Sequence, residues 1–294
     1  MSREAVYRNY SRKELDIQYN NRLRYPEYTK YFADWAKWSE ETRNNLPCHC
    51  NIPYGELPCE TLDVFPAEEC NAPVQVMVHG GYWYSLDKYD DSFVAEGMRP
   101  NGVTTVVINY GLAPVYGMDE MVRQNRKAIA WLWRNADEFG ADRDRIYTVG
   151  QSAGGHLSVM LMATDWPAIG SDLPAGLIKG GASISGIYDL EPIRLCYLND
   201  KVRMDKDVAR RNSPLYQIYP VSLPLILVSG DIESDEYARQ AKEMEDLWDS
   251  LGYPVENLTL PGFNHFSIAH QLKDPDSVLT HALLRQMDLG GMGL

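Results

Sequence analysis

The stretch Arg145-Ile146-Tyr147-Thr148-Val149-Gly150-Gln151-Ser152-Ala153-Gly154 runs from a short apolar segment straight into a Gly-x-Ser-x-Gly string. Such a string is common by chance, and its position is what makes this one specific. It follows a predicted strand, and a helix is predicted to open near Ala153. At a strand-to-helix turn, small residues on both sides permit the strained backbone that lifts a Ser hydroxyl above a sheet. The helix start then offers its positive dipole end and free N–H groups to a developing anion. The plain alternative is a tight turn whose Ser only caps the helix. The surrounding sequence decides between the two.

Outward from this turn, short apolar runs alternate with helix-length segments. The runs are TLDVF, VQVMVHG, TTVVINY, RIYTVG, GASISG, PLILVSG and VENLTL, beginning at Thr61. Alternation of this kind predicts a mostly parallel sheet covered by helices on both faces, the α/β class. The intervening segments carry a helical period. Tyr237, Ala241, Met244, Trp248 and Leu251 step by four and three, and Ile129, Leu132, Ala136 and Phe139 by three and four. Residues 1–50 differ, being dense in aromatics (Tyr7, Tyr10, Tyr19, Tyr25, Tyr28, Tyr31, Phe32, Trp35, Trp38) and poor in β-branched runs. They read as helical and irregular structure that packs near the active-site edge of the sheet. With no repeat, low-complexity tract or linker, residues 1–294 form one domain, of which 1–50 is an N-terminal extension.

A second Gly-rich turn, His79-Gly80-Gly81-Tyr82-Trp83, follows the run VQVMV. An acyl-transfer enzyme needs N–H groups aimed at a tetrahedral oxyanion, and glycines let backbone approach substrate closely. The amides of Gly81, Tyr82 and Ala153 are the candidates for that hole. His79 is expected to hold the loop rather than to move protons.

A Ser hydroxyl is a weak nucleophile, so one of the six histidines must return to Ser152 as its base. His265 is best placed, lying just beyond the last predicted strand in the loop PGFNHF. His49 lies in the extension, His281 in the final helix, and His156 on the helix that Ser152 opens; His270 is the remaining rival. The acid that orients the base follows the nucleophile and precedes the His in this chain order. It is therefore sought after PLILVSG, where Asp231, Glu233, Asp235 and Glu236 are all available, and spacing alone does not choose among them.

Composition narrows the function classes. The 41 acidic residues outnumber the 28 basic ones, giving a net charge of -13 that disfavours a nucleic-acid partner. No apolar run approaches the roughly 20 residues needed to cross a bilayer, so a membrane partner is not expected. The polar first residues lack the apolar core of a secretory signal, which predicts a cytoplasmic protein. The five cysteines are then expected to be free thiols. Cys48-His49-Cys50 lacks the paired spacing of zinc sites, and neither metal nor organic cofactor is implied. The expected partner is a small-molecule substrate, and a homo-oligomer is compatible with the sequence.

On these residues the chain resembles the kynurenine formamidase-like (arylformamidase) branch of the α/β-hydrolase superfamily, related to hormone-sensitive-lipase-type esterases. The likeness spans most of the chain. It lies in His79-Gly80-Gly81-Tyr82-Trp83, where lipases show a third Gly, in Asn109-Tyr110-x-Leu112-Ala113-Pro114, in Gly150 to His156, in Ser185-Gly186-Ile187-Tyr188-Asp189-Leu190, and in His265-Phe266. The family's acid loop ends in a Glu, an aromatic and Arg-Gln. Registering it on Glu236-Tyr237-Ala238-Arg239-Gln240 puts Glu233 where the family has its catalytic Asp. The resemblance therefore implies the α/β-hydrolase fold and a Ser152, His265, Glu233 triad. Hydrolysis of an ester or activated amide through an acyl-enzyme follows from it. Tyr82, Trp83 and Tyr188 are the expected substrate-binding residues. Tyr82, Trp83, Tyr84 and the aromatic extension suggest an aromatic substrate, although such aromatics can equally serve to bury the extension. A general short-chain carboxylesterase and a non-catalytic ligand-binding protein of the same fold are the rivals.

Overall fold

The computed structural model describes residues 4–289; the ends of the predicted span, residues 1–3 and 290–294, lie outside them. Eight strands form one sheet: β1 (His49–Pro53), β2 (Thr61–Phe65), β3 (Ala72–Val78), β4 (Thr104–Ile108), β5 (Ala141–Gln151), β6 (Ile178–Ile184), β7 (Leu225–Gly230) and β8 (Val255–Leu260). Their spatial order is β1-β2-β4-β3-β5-β6-β7-β8. β1 and β2 pair antiparallel at one edge, β2 pairs antiparallel with β4, and every other neighbour is parallel. This is the α/β-hydrolase fold, and each of the seven apolar runs supplies one strand. β1 was not expected. Four of the five residues of His49-Cys50-Asn51-Ile52-Pro53 are exposed, and an exposed edge strand carries neither the apolar run nor the β-branched density that marks the others.

The sheet lies between two apolar layers because its central strands are buried on both faces. Along β3, Val74, Val76 and Val78 belong to one core and Met77 to the other, the two-residue period of a pleated strand. The helix Met118–Asn135 lays Ile129 and Leu132 into the first core. The helix Asp235–Ser250 does the same with Tyr237, Met244 and Trp248, whereas Leu251 falls just past its end and is exposed.

The N-terminal extension forms three helices, α1 (Arg12–Tyr19), α2 (Asn21–Arg24) and α3 (Tyr28–Asn45). A capping box at Ser11 and Glu14 starts α1, satisfying the first free N–H groups of that helix. The three helices lie over the ends of β3, β5 and β7. Ser234 Oγ donates to the carbonyl of Gln18 at 2.7 Å, and the Tyr25 hydroxyl donates to the carbonyl of Ile232. Tyr25, Tyr28, Tyr31, Phe32 and Trp35 surround the single ring of Phe266.

Candidate active site

Ser152 stands between β5 and the helix Ala153–Met162 with φ 57° and ψ −117°, a conformation that an L-residue rarely adopts. The sequence makes this turn affordable through its neighbours. A Cβ on Gly154 would come within 1.9 Å of the Val78 carbonyl oxygen, and one on Gly150 within 2.2 Å of the Gly154 carbonyl oxygen. The Ser152 N–H donates to the Ile184 carbonyl at 2.7 Å, which pins the turn to β6.

The loop after β3 faces this turn. Gly81 has φ 100°, and Tyr82 and Trp83 follow with φ 50° and 60°. Three donors hold the loop through one carbonyl: the Tyr84 and Ser85 N–H groups and the Ser85 hydroxyl all reach Gly81 O. The amides of Gly81, Tyr82 and Ala153 find no hydrogen-bond acceptor among the described residues. The amide at a helix start is free by construction, and unpaired backbone donors at a cavity wall are suited to an anion.

His265 lies in the loop after β8, and its Nδ1 is 2.8 Å from Oε2 of Glu233. Both side chains are almost wholly buried, at 4% and 2% exposure. Glu233 Oε1 accepts from the Ser185 hydroxyl at 2.6 Å and from the Gly230 N–H at 2.8 Å. A carboxylate so held presents its second oxygen to the imidazole in one geometry, which fixes Nδ1 as the protonated nitrogen and leaves the Nε2 lone pair free. Gln151 donates from Nε2 to the His265 carbonyl and so ties the His loop to the residue before Ser152. Asn264 Oδ1 accepts from the Phe266 and Ser267 N–H groups, shaping the same loop. Ser152, His265, Gly81 and Tyr82 line one narrow cavity, together with Gln151, Leu86 and Phe266. The extension contributes Arg22, Phe32 and Trp35 to it.

Each alternative residue is occupied elsewhere. Asp231 is exposed and accepts from the Gly262 N–H at 2.7 Å; Asp235 is exposed in the first turn of its helix. Glu236 accepts from the Tyr19 hydroxyl and Arg239. His270 packs its ring against Trp38 and Tyr31. His156 is set between the Trp83 indole N–H, 3.2 Å from its Nδ1, and the Asn212 carbonyl, 2.7 Å from its Nε2. His79 stacks on Tyr110 with ring centroids 4.2 Å apart, and burial pushes it down to about 4. Burial likewise takes His156 down to about 4. Cys48 and Cys50 have their sulfurs 2.6 Å apart, but the His49 ring turns to Phe139. No three metal-ligating side chains converge among the described residues.

A family model described as BD-FAE matches residues 62–169. The kynurenine formamidase of Danio rerio is 30% identical, covering 96% of this chain and 98% of its own. That of Salmo salar is 31% identical over 98% of this chain and 97% of its own. The chain belongs to the kynurenine formamidase family. Among solved structures, a protein of Silicibacter sp. TM1040 that carries a provisional thioesterase name superposes with a TM-score of 0.80, at 29% identity over 91% of this chain and 97% of its own. The chain is thus a hydrolase of the ester and amide type.

Within this formamidase-family fold, two of the residues expected to bind substrate are turned away from the cavity. Trp83 is fully buried, because its indole N–H is committed to His156. Tyr188 is 1% exposed, and its hydroxyl donates to Ser183 Oγ at 2.8 Å. Tyr82 does line the cavity. Its hydroxyl donates to the Tyr19 carbonyl and accepts from Asn21 Nδ2 at 2.9 Å, so its polar end is spent on the extension. Sequence reasoning missed Ser185, Gln151 and Arg22. Ser185 and Gln151 stand inside the motifs Ser185-Gly186-Ile187-Tyr188-Asp189-Leu190 and Gly150-Gln151-Ser152-Ala153-Gly154; Arg22 carries no signal beyond its place in the extension.

Proposed function

We propose that this hydrolase cleaves a formamide or ester of a small aromatic compound through an acyl-enzyme on Ser152, with N-formylkynurenine as the leading substrate. The observation that carries the reading is the Glu233 to His265 contact at 2.8 Å, made behind a cavity wall in which His265 and Ser152 both stand. With Nδ1–H donated to the carboxylate, His265 Nε2 accepts the Ser152 proton as Oγ bonds to the carbonyl carbon. The resulting oxyanion is met by the free amides of Tyr82 or Gly81 and Ala153. Collapse breaks the C–N or C–O bond, and the proton on Nε2 passes to the departing amine or alcohol. Water then repeats the sequence on the acyl group, releasing formate or another small acid and restoring Ser152.

The cavity favours a flat apolar body, since Phe32, Trp35, Leu86 and Phe266 supply most of its lining beyond the reacting groups. Its narrowness suits an acyl group as small as formyl. Steady-state turnover of N-formylkynurenine against p-nitrophenyl esters of rising chain length tests the reading. A preference of at least several hundredfold for the formamide supports it. Equal or faster turnover of short esters assigns a general carboxylesterase, and turnover of neither leaves a ligand-binding protein.

A further inference from the structure

Arg22 lines the cavity among Phe32, Trp35, Leu86 and Phe266, on walls that are apolar away from the reacting groups. It belongs to α2 and reaches the same space as Ser152 and His265. Its guanidinium lies over the rings of Tyr28 and Phe32, at 5.5 and 5.7 Å from their centroids. Its polar contact is with a neutral group, the Ser85 hydroxyl at 3.2 Å from Nη2. No carboxylate pairs with it among the described residues. Arg12, Arg123, Arg134, Arg194, Arg211 and Arg239 each hold an acidic partner, and what singles Arg22 out among the arginines without one is its place in the cavity wall beside Ser152.

An unpaired guanidinium beside an apolar cavity wall is costly to desolvate and gains most when an anion arrives. Five N–H donors in a planar fork match a carboxylate better than a neutral carbonyl, which accepts fewer bonds and carries no charge. The chain as a whole carries a net charge of -13, which repels anions at long range. A local cation at the cavity offsets that repulsion at the site itself, away from the amides that face the reacting carbonyl.

We propose that Arg22 selects substrates whose aromatic or acyl-bearing body carries a carboxylate, pairing that carboxylate while Ser152 faces the scissile carbonyl. This rests on the reading of the cavity as the substrate site, and it adds the residue that meets a carboxylate such as the one N-formylkynurenine carries. Arg22 determines specificity through binding and takes no part in proton transfer. Its place in the extension also gives that segment a role in recognition: the helix that roofs the cavity supplies its charge.

The test separates binding from turnover. In the Ser152→Ala protein, the affinities of phenylacetate and of its neutral isostere phenylacetamide are measured by titration calorimetry. They are measured again with Arg22→Gln and Arg22→Lys added. The carboxylate should bind about tenfold to hundredfold more tightly than the amide, the range expected of one charge-assisted contact. Arg22→Gln should erase that ratio, and Arg22→Lys should keep part of it. The ratio in the arginine protein should also shrink as salt rises. Equal affinities for the two ligands, absence of binding by both, or an unchanged ratio in Arg22→Gln overturns the assignment. Turnover in the Ser152 protein reports separately on the hydrolytic reading. Between phenyl acetate and 4-carboxyphenyl acetate, Arg22→Gln should lower kcat/KM of the carboxylated ester at least tenfold more than that of the neutral one. Turnover of both esters with no charge preference would sink the role of Arg22 and leave the hydrolase standing.

Discussion

Asn21 donates from its single amide to the hydroxyls of Tyr82 and Tyr237, each at 2.9 Å. Those two hydroxyls are 2.6 Å apart, and Tyr82 passes its own proton to the Tyr19 carbonyl. The proton of Tyr237 therefore points at Tyr82, and the network closes with each donor used. One end of it is the loop that carries the Gly81 and Tyr82 amides; the other is Tyr237, whose ring lies 4.6 Å from that of His265. The extension thus braces the proposed oxyanion loop and the proposed base from a single side chain.

From this brace, Asn21→Leu should do more than remove two hydrogen bonds. Leu fills similar space but leaves two buried phenol oxygens with fewer donors, a loss of about 1–3 kcal/mol in stability. The loop that depends on them should loosen, so kcat should fall by about tenfold while KM moves little. Calorimetric melting with steady-state kinetics checks both parts. Wild-type melting and wild-type kcat together would show that the network is ornamental to the cavity.

Ser152→Ala should lower kcat by up to about 10⁶ while leaving the melting transition almost unchanged, since the hydroxyl makes little packing contact. A fluorophosphonate probe should label the parent protein at Ser152 and fail to label the variant. Labelling of another residue, or activity near that of the parent, would remove Ser152 from the mechanism.

Most of the sheet was legible because its central strands are buried on both faces and so write themselves as apolar runs, and the half-buried β8 still shows Val255, Leu258 and Leu260. β1 was not, since an exposed edge strand that ends in Pro53 has no such run to show. The turn at Ser152 was legible because its glycines fall within one five-residue string, even though Gly154 answers to the distant Val78 carbonyl and only Gly150 to the turn itself. Trp83 was misplaced for a related reason. A residue next to a Gly-rich loop reads the same whether it turns to the cavity or to the core, and what turns it inward is His156, 73 positions away. Ser185 escaped notice because its contact with Glu233 spans 48 residues, and Asn21 because its partners lie 61 and 216 residues away. The aromatic extension divides residue by residue: Phe32 and Trp35 reach the cavity, whereas the fully buried Tyr19 anchors the segment through Glu236 and Gln240.

Acid should destabilise the fold through His79 and His156. Both are held near 4 by burial, below the 6.5 of an exposed imidazole. The unfolded chain therefore binds the extra protons first. The stability these groups contribute is complete above pH 6.5, falls as pH drops from 6.5 to 4, and changes no further below that. The structure shows why the folded state resists: a proton on His156 Nδ1 would face the Trp83 N–H donor, and the buried Nε2 of His79 has no partner among the described residues. Each group accounts for at most about 3 kcal/mol across that window. Denaturant melts at half-unit steps of pH should show the unfolding free energy falling between pH 6 and 5. His156→Gln should make that fall shallower by close to one proton, the share of His156 alone. An unchanged slope would mean that His156 already titrates freely in the folded protein.

The orientation of His265 rests on Glu233, and the two contacts behind Glu233 can be dissected. Oε1 is held by the Ser185 hydroxyl and the Gly230 N–H, while Oε2 alone faces His265. Glu233→Gln keeps the length of the side chain but can present an amide N–H to Nδ1, which forces the imidazole into the wrong tautomer. A loss of about 10⁴ in kcat is expected, the size seen when the acid of a serine protease is neutralised. Glu233→Asp shortens the reach by one methylene and cannot hold Oε1 and Oε2 contacts together, so it should lose activity as well. Asp231→Asn and Asp235→Asn, both exposed and turned elsewhere, should each cost far less. Ser185→Ala removes one of two anchors and should cost about tenfold. In the Glu233→Gln background the same change should cost almost nothing, because the geometry it protects is already lost. Additive losses in that double-mutant cycle would separate Ser185 from Glu233. A larger loss from Asp231→Asn than from Glu233→Gln would move the acid two residues toward β7.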